Sequence, residues 1–279
     1  MNLIIIGGDQ RMLYTAEYLH KKGCKPRLYG LDSDSFETTL CEAIASADAV
    51  ILPLPVSGDD LTVRAPLSNK TIYLDDIILC KPKMVFGGMI SDHLKLKLKE
   101  KAIPFYDYYQ SESLTVKNAL LTAEAAISIA IDKTDFSLFG AKVLVIGYGR
   151  IGKILSKYLK ALGADVTATS RDNGTLALIE TDGYSALNTA DIYNTLQNYD
   201  FVFNTVPAPV MNRLFFGSLK DSCYVSDLAT SAGTDTQAAE EYNIKLQILP
   251  GLPGKLFPKT AGELIGNEIL NHLTSERQK

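Results

Sequence analysis

Short apolar runs alternate along the chain with stretches whose apolar residues recur three and four positions apart, which predicts strands alternating with helices. Leu3-Ile4-Ile5-Ile6 reads as a buried strand that leaves through Gly7-Gly8-Asp9-Gln10-Arg11. Met12, Ala16, Leu19 and His20 mark a helix that stops at Gly23, and a second strand covers 27–30. The run 49–55 predicts a third strand, ended by Pro53 and Pro55 because proline cannot donate to a sheet ladder. A loop over 56–60, a short helix over 75–79 and a fourth strand over 84–86 follow. Ser91 is the expected cap of a helix through Leu94 and Leu98, with Lys95, Lys97, Lys99 and Lys101 as its solvated face. Residues 104–109 are a fifth strand or an extended connection. A long helix is expected from Ser113, its cap, to Lys133.

The pattern is sharpest over 142–169. A β-branched run ends in Gly147-Tyr148-Gly149-Arg150-Ile151-Gly152, and Ile154, Leu155, Tyr158, Leu159 and Leu162 follow at helical spacing. Gly163 stops that helix, and the next strand is Val166 to Thr169. Strand, glycine turn, helix and strand make up the setting a dinucleotide fingerprint requires. Gly147 permits the tight turn, Gly149 removes a side chain where the pyrophosphate approaches, and Gly152 lets the helix sit close to the sheet. The helix N-terminus offers free N–H groups and partial positive charge to phosphate.

The end of the following strand selects the nucleotide. An acid there would accept hydrogen bonds from a ribose 2′-OH. Ser170-Arg171 stands there instead, and a hydroxyl beside a guanidinium suits a 2′-phosphate, so NADP(H) is preferred over NAD(H). Arg150 adds positive charge to the glycine loop, while Asp172 or Asp165 would be the ribose acid in a shifted register. Later strands end in Asn204-Thr205-Val206-Pro207 and in Asp227, positions expected near the cofactor. The plainer role for Asn204 and Asp227 is tying down loops.

Residues 249–262 hold three prolines and three glycines and read as an irregular loop flanked by Lys255 and Lys259. A final helix, 263–273, would return to the first domain and bring that loop to an interdomain cleft. The expected architecture is α/β: two doubly wound domains with parallel sheets, the second a Rossmann NADP-binding domain, flanking the cleft. Their expected bounds are 1–133, 134–262 and a returning helix in 263–279.

The 279 residues suffice for two such domains, and a net charge of −4 gives no bulk attraction to nucleic acid or an anionic membrane. No apolar run reads as a membrane span, and Met1-Asn2-Leu3 begins a strand without a signal-peptide leader. Cys24, Cys41, Cys80 and Cys223 are far apart, so free or buried thiols in a reducing cytosol are expected rather than disulfides or a zinc site. His20, His93 and His272 show no metal-ligand spacing, and no catalytic histidine is evident. No metal site is expected.

Seven segments together resemble the A-subunit family of dipicolinate synthase. They are 7–11, Leu52-Pro53-Leu54-Pro55-Val56-Ser57, Asn118 with Thr122-Ala123-Glu124, 147–152, Asn204-Thr205-Val206-Pro207-Ala208, 250–255 and Pro258-Lys259-Thr260-Ala261-Gly262. Family members often carry a serine-glycine version of the segment 228–233, Leu-Ala-Thr-Ser-Ala-Gly here. The resemblance implies oxidation of a dihydro form of dipicolinate, drawn from the lysine pathway, with NADP⁺ taking the hydride. It also implies a partner, the flavoprotein-like B-subunit of the synthase, and a place in the cytoplasm of a sporulating mother cell. Homo-oligomerisation is left open.

A planar ring with two carboxylates needs cationic partners when it leaves water. Arg11, Arg64, Lys255 and Lys259 are the cationic candidates, Ser57, Thr122 and exposed loop N–H groups could add hydrogen bonds, and Lys255, Glu124 or water could take the proton released on aromatisation. The alternatives are a non-catalytic NADP(H)-binding protein, or an alanine or 2-hydroxyacid dehydrogenase. The 2-hydroxyacid type would want a histidine–carboxylate pair.

Overall fold

The structure, a computed structural model, describes residues 1–31, 39–229 and 234–276. Residues 230–233, part of the variable segment noted above, lie outside the described residues. The chain forms two compact units, Met1–Lys117 with Phe257–Lys279, and Asn118–Leu256.

The first unit alternates β1 (Asn2–Ile6), α1 (Gln10–Lys21), β2 (Lys25–Tyr29), α2 (Leu40–Ala45), β3 (Ala49–Ile51), α3 (Leu74–Leu79), β4 (Val85–Gly87), α4 (Asp92–Glu100) and β5 (Phe105–Asp107). The parallel strands stand in the order β2-β1-β3-β4-β5. The chain turns from one side of β1 to the other, so the carboxyl ends of β1 and β3 flank a switch point where open α/β sheets take ligands. Apolar side chains cover both faces: Ile4, Ile6, Val50 and Val85 lie in one core, and Leu3, Ile5, Ile51 and Phe86 in the other. β3 is shorter than the 49–55 run, since the prolines end it early.

A long helix, α5 (Glu112–Lys133), spans both units. Its cap is Ser111 and not Ser113: the Leu114 amide donates to Ser111 Oγ at 3.4 Å, while Ser113 already lies in the first turn. The division between units falls inside this helix after Lys117, earlier than 133, and Ala123, Ala125, Ala126 and Ala130 beyond that point are fully buried. By length and composition α5 is also apolar enough to cross a membrane, contrary to the reading of the bare sequence. Half of its most apolar stretch is buried inside the protein.

The second unit continues with β6 (Lys142–Ile146), α6 (Arg150–Ala161), β7 (Asp165–Ser170), α7 (Asn173–Thr181), β8 (Ser185–Asn188), β9 (Phe201–Asn204), α8 (Arg213–Gly217), β10 (Tyr224–Asp227), α9 (Thr236–Glu241), β11 (Lys245–Ile248) and α10 (Leu252–Leu256). Its parallel strands stand in the order β11-β10-β9-β6-β7-β8, the Rossmann arrangement, with the switch point between β6 and β9.

Residues 249–262 differ from the expected loop. Gly251, at φ +67°, turns the chain into α10, and Pro253 sits in its first turn, where no intrahelical N–H is needed. Pro258 opens α11 (Pro258–Glu276), five residues before the expected start. The second unit therefore ends at Leu256 rather than 262. Helix α11 belongs to the first unit and packs on α1, with Thr15 Oγ1 donating to Gly262 O at 2.9 Å and Tyr18 Oη to Asn267 Oδ1 at 3.0 Å.

One thiol expectation is overturned. Cys41 of α2 and Cys80, the C-cap of α3, form a disulfide with Cα atoms 4.9 Å apart. A separation of 39 residues hid the pair, because only the packing of α2 beside α3 brings the two together. Cys24 and Cys223 are free and buried.

Candidate functional site

The glycine loop sits at the carboxyl end of β6. Gly147 takes φ +96°, which its missing Cβ permits, and its amide donates to Thr169 Oγ1 at 3.2 Å. Thr189 donates to the same oxygen from beyond β8 at 3.2 Å. Just past β9 the Thr205 hydroxyl donates to Ile146 O at 2.8 Å. A Cβ on Gly152 would lie 2.1 Å from Gly147 O, so only glycine lets α6 close on the loop. A Cβ on Gly149 would meet nothing within 4 Å. Gly149 is also the N-cap of α6 and gives it no side-chain cap, which leaves the start of this 12-residue helix open to an anion. The loop therefore fits a dinucleotide pyrophosphate: there is open space beside the second glycine and a helix N-terminus behind it.

Tyr148, the residue between the first two glycines, does not face that space freely. It is buried, and its hydroxyl donates to Asp182 Oδ2 at 2.6 Å, tying the loop to the turn after α7. Burial and the Asp182 charge push its phenol far above the ordinary value. Arg150 is exposed and Ile151 half-buried in the first turn of α6.

At the end of β7 the two alternative ribose acids are accounted for. Asp165 opens the strand, at the opposite edge of the sheet from the glycine loop. Asp172 is the N-cap of α7, accepting the Thr175 amide at 2.7 Å and the Thr175 hydroxyl at 2.9 Å. Those bonds hold its carboxyl below the ordinary range. Ser170 Oγ accepts the Asp172 amide at 3.0 Å, and the exposed Arg171 side chain makes no hydrogen bond or ion pair with a described residue.

Asn204 and Asp227 meet at the same edge, and their side chains do tie down loops. Asn204 Nδ2 donates to Asp227 Oδ1 at 2.9 Å and to Val206 O at 3.1 Å, while its Oδ1 accepts the Val206 amide at 3.2 Å. Asp227 also accepts the Ala229 amide at 3.0 Å and the Thr234 hydroxyl at 2.5 Å. This network fixes Thr205, Val206 and Pro207 beside the glycine loop, where Val206 Cγ1 lies 2.5 Å from the place a Gly147 Cβ would take.

The first unit gathers a second cluster at its switch point. The amides of Gly7 and Gly8 donate to Tyr29 O and Arg64 O, each at 2.8 Å, so this turn has no free N–H pair for a phosphate. Arg11 is buried and donates from Nε and Nη2 to Asp9 at 2.9 and 2.8 Å, and from Nη2 to Leu54 O at 2.5 Å. Burial opposes both charges, yet the pairing wins: the Asp9 carboxyl is held low and the Arg11 guanidinium is raised. The exposed Arg64 adds its field to Asp9, and its guanidinium donates no hydrogen bond to a described residue, so it is the available cation of this cluster.

Other candidates are engaged or stand apart. Ser57 Oγ donates to Asp59 Oδ1 at 2.9 Å and accepts the Asp60 amide at 3.0 Å. Amides of Thr62 and Leu61, with the Thr62 and Ser57 hydroxyls, hold Asp59 far below the usual carboxylate range. Thr122 is buried in α5 and donates to Asn118 O at 2.9 Å. Glu124 and Lys255 are exposed in the second unit, and Lys259 is exposed on α11 of the first. Sequence reasoning missed Thr169 as the support of the glycine turn, because its partners lie on other strands and leave no local signal. Among the described residues no group of three or more His, Cys, Asp or Glu is placed to hold a metal ion.

Residues 2–109 match the family model for the N-terminal domain of the dipicolinate synthase A-subunit, and residues 101–238 match "D-isomer specific 2-hydroxyacid dehydrogenase, NAD binding domain". The chain is 28% identical over 289 aligned positions to the dipicolinate synthase A-subunit of Bacillus subtilis (strain 168), covering 100% of this chain and 97% of that protein. The crystal structure of the dipicolinate synthase A-subunit from Bacillus halodurans superposes with a TM-score of 0.87 at 31% identity, covering 98% of this chain and 97% of the other. The apo-structure of D-lactate dehydrogenase from Escherichia coli shares the fold, with a TM-score of 0.67 at 15% identity over 100% of this chain and 98% of that one.

Proposed function

The chain belongs to the dipicolinate synthase A-subunit family, and from that premise we propose that it oxidises dihydrodipicolinate to dipicolinate with NADP⁺ during sporulation. The substrate arises from 4-hydroxy-tetrahydrodipicolinate, and the flavoprotein-like B-subunit of the synthase is the partner in the cytoplasm. The preference for NADP(H) rests on one observation: β7 ends at Ser170 and Arg171 follows directly, while Asp165 stands at the other end of the strand and Asp172 is engaged as a helix cap.

Bound NADP⁺ supplies a hydride acceptor. The residues of the chain have the remaining tasks. The open start of α6 and the bare Gly149 take the pyrophosphate, and Ser170 and Arg171 take the 2′-phosphate. Thr205, Val206, Pro207 and Asp227 border the rest of the cofactor. Arg64 and Lys259 pair with the ring carboxylates, while Arg11, already neutralised by Asp9, offers hydrogen bonds more than net charge. Oxidation removes a hydride and a proton from the ring, and Lys255 or Glu124 receives the proton. Aromatisation is downhill, so a weak base suffices.

A second reading, an NADP(H)-binding protein without turnover of its own, draws support from Arg11, Ser57 and Thr122, whose side chains are all engaged within the chain. A 2-hydroxyacid dehydrogenase is disfavoured: His20 and His93 are exposed, and His272 stacks on Tyr106 with centroids 3.8 Å apart, so no described histidine pairs with a carboxylate. The deciding experiment mixes the chain anaerobically with NADP⁺ and fresh hydroxytetrahydrodipicolinate, with and without the B-subunit, and follows NADPH and dipicolinate absorbance together. Joint rise with the chain alone is expected. NADP⁺ binding with turnover only once the B-subunit is present supports the second reading.

A further inference from the structure

We propose that Cys41 and Cys80 form a reversible redox site that sets the position of the Arg64 turn. Cys41 is exposed in the first turn of α2, so a thiolate from solution can reach the bond, while Cys80 caps α3 and is half-buried against the core. The other end of α3 is tied to the turn: the Leu74 amide donates to Leu61 O at 2.9 Å and the Val63 amide to Ile72 O at 2.8 Å. Thr62 and Tyr73 bridge the same antiparallel ribbon. Arg64 follows directly, its amide donating to Val56 O and its carbonyl accepting from Gly8, each at 2.8 Å. The disulfide thus anchors α2 to a short helix whose far end holds the ribbon that leads into Arg64.

On oxidation, the two thiols lose two protons and two electrons and the S–S bond forms. A low-molecular-weight disulfide takes both electrons and both protons and leaves as two thiols. A dithiol reverses the exchange. The idea that Arg64 then binds dicarboxylate differently rests on the proposed function, and the test separates the two.

The full-length chain is treated with a small disulfide or with a dithiol, and its thiols are titrated in denaturant. Two thiols are expected after oxidation, from Cys24 and Cys223, and four after reduction. Reduction should lower the melting temperature by roughly 5–10 °C. Cys41→Ser, or Cys80→Ser as the second variant, should melt like the reduced chain whatever the treatment. Dipicolinate, used as the probe, should bind the reduced form about threefold or more weakly, with NADP⁺ affinity unchanged. Four thiols after oxidation, or two thiols with unchanged melting and unchanged dipicolinate affinity, would overturn the proposal. A melting shift with no dipicolinate binding in either form upholds the redox site and sinks the substrate reading.

Discussion

Thr169 accepts the amide hydrogen of Gly147 at 3.2 Å, which links the glycine turn after β6 to the strand that ends at Ser170. Thr169 is fully buried, so this bond has no water to replace it. Thr169→Val keeps the shape and removes the acceptor. NADP⁺ affinity should fall about tenfold, near 1.4 kcal/mol, and the orphaned Gly147 amide should lower the melting temperature by roughly 2–6 °C. Thr169→Ser should restore it. Calorimetric titration of the three proteins checks this, and equal affinity for the Val and Thr forms would remove Thr169 from the cofactor site.

Arg171 is exposed and its side chain has no partner among the described residues, so its removal leaves no buried charge behind. Arg171→Ala should weaken NADP⁺ binding about 10- to 100-fold and NAD⁺ binding hardly at all, since only the former has a 2′-phosphate for the guanidinium fork. Fold stability should be unchanged. Equal losses for both nucleotides in a titration would end the case for NADP selectivity.

What was legible in the sequence was local. β6, the glycine turn and α6 announce themselves within a short stretch, because each glycine answers a short-range steric demand. The alternation of strand and helix gave both sheets for the same reason. The Pro-Gly density of 250–262 misled, since the same residues serve two ends. Pro258 can begin a helix as well as end one, and Gly262 is a packing glycine rather than a turn. The cystine, the Thr169 support and the network of Asn204 with Asp227 join residues distant in sequence, so they required the fold. Thr122 lay between these cases: a helical threonine commonly bonds to the carbonyl four residues back, as it does here with Asn118.

The Asp9–Arg11 pair should carry an acid-side signature. The Asp9 carboxyl is held below its ordinary value of 3.8 in the folded chain. A group lowered on folding stabilises fully above its unfolded pKa and loses that contribution as pH falls through the folded one. Asp9→Asn leaves the buried Arg11 charge uncompensated and should cost about 2–4 kcal/mol at pH 7. It should also flatten the loss of stability below pH ~4. Urea melts of both proteins from pH 7 down to 3 read the two effects. A variant as stable as the parent at pH 7 would show that the pair is not needed to seat the first turn of α1.

Gly262 lies where α11 crosses α1, and a Cβ there would stand 2.3 Å from Arg11 O and 2.8 Å from Tyr14 Cβ. The first clash is with backbone, so no rotamer change relieves it and the helices must part. Thr15 Oγ1 would then lose its bond to Gly262 O, and the carbonyl of Arg11 would shift with α1. Gly262→Ala should therefore lower stability by roughly 1–3 kcal/mol, despite the better helix propensity of alanine. Gly251→Ala, with open space around its Cβ position but φ +67°, serves as the contrast, since its cost is conformational and lies in the second unit. Thermal melts with a probe in α11 should show the Gly262 variant loosening α11 first and the Gly251 variant leaving it intact. A Gly262→Ala protein that melts at or above the parent would mean that α1 and α11 separate at little cost.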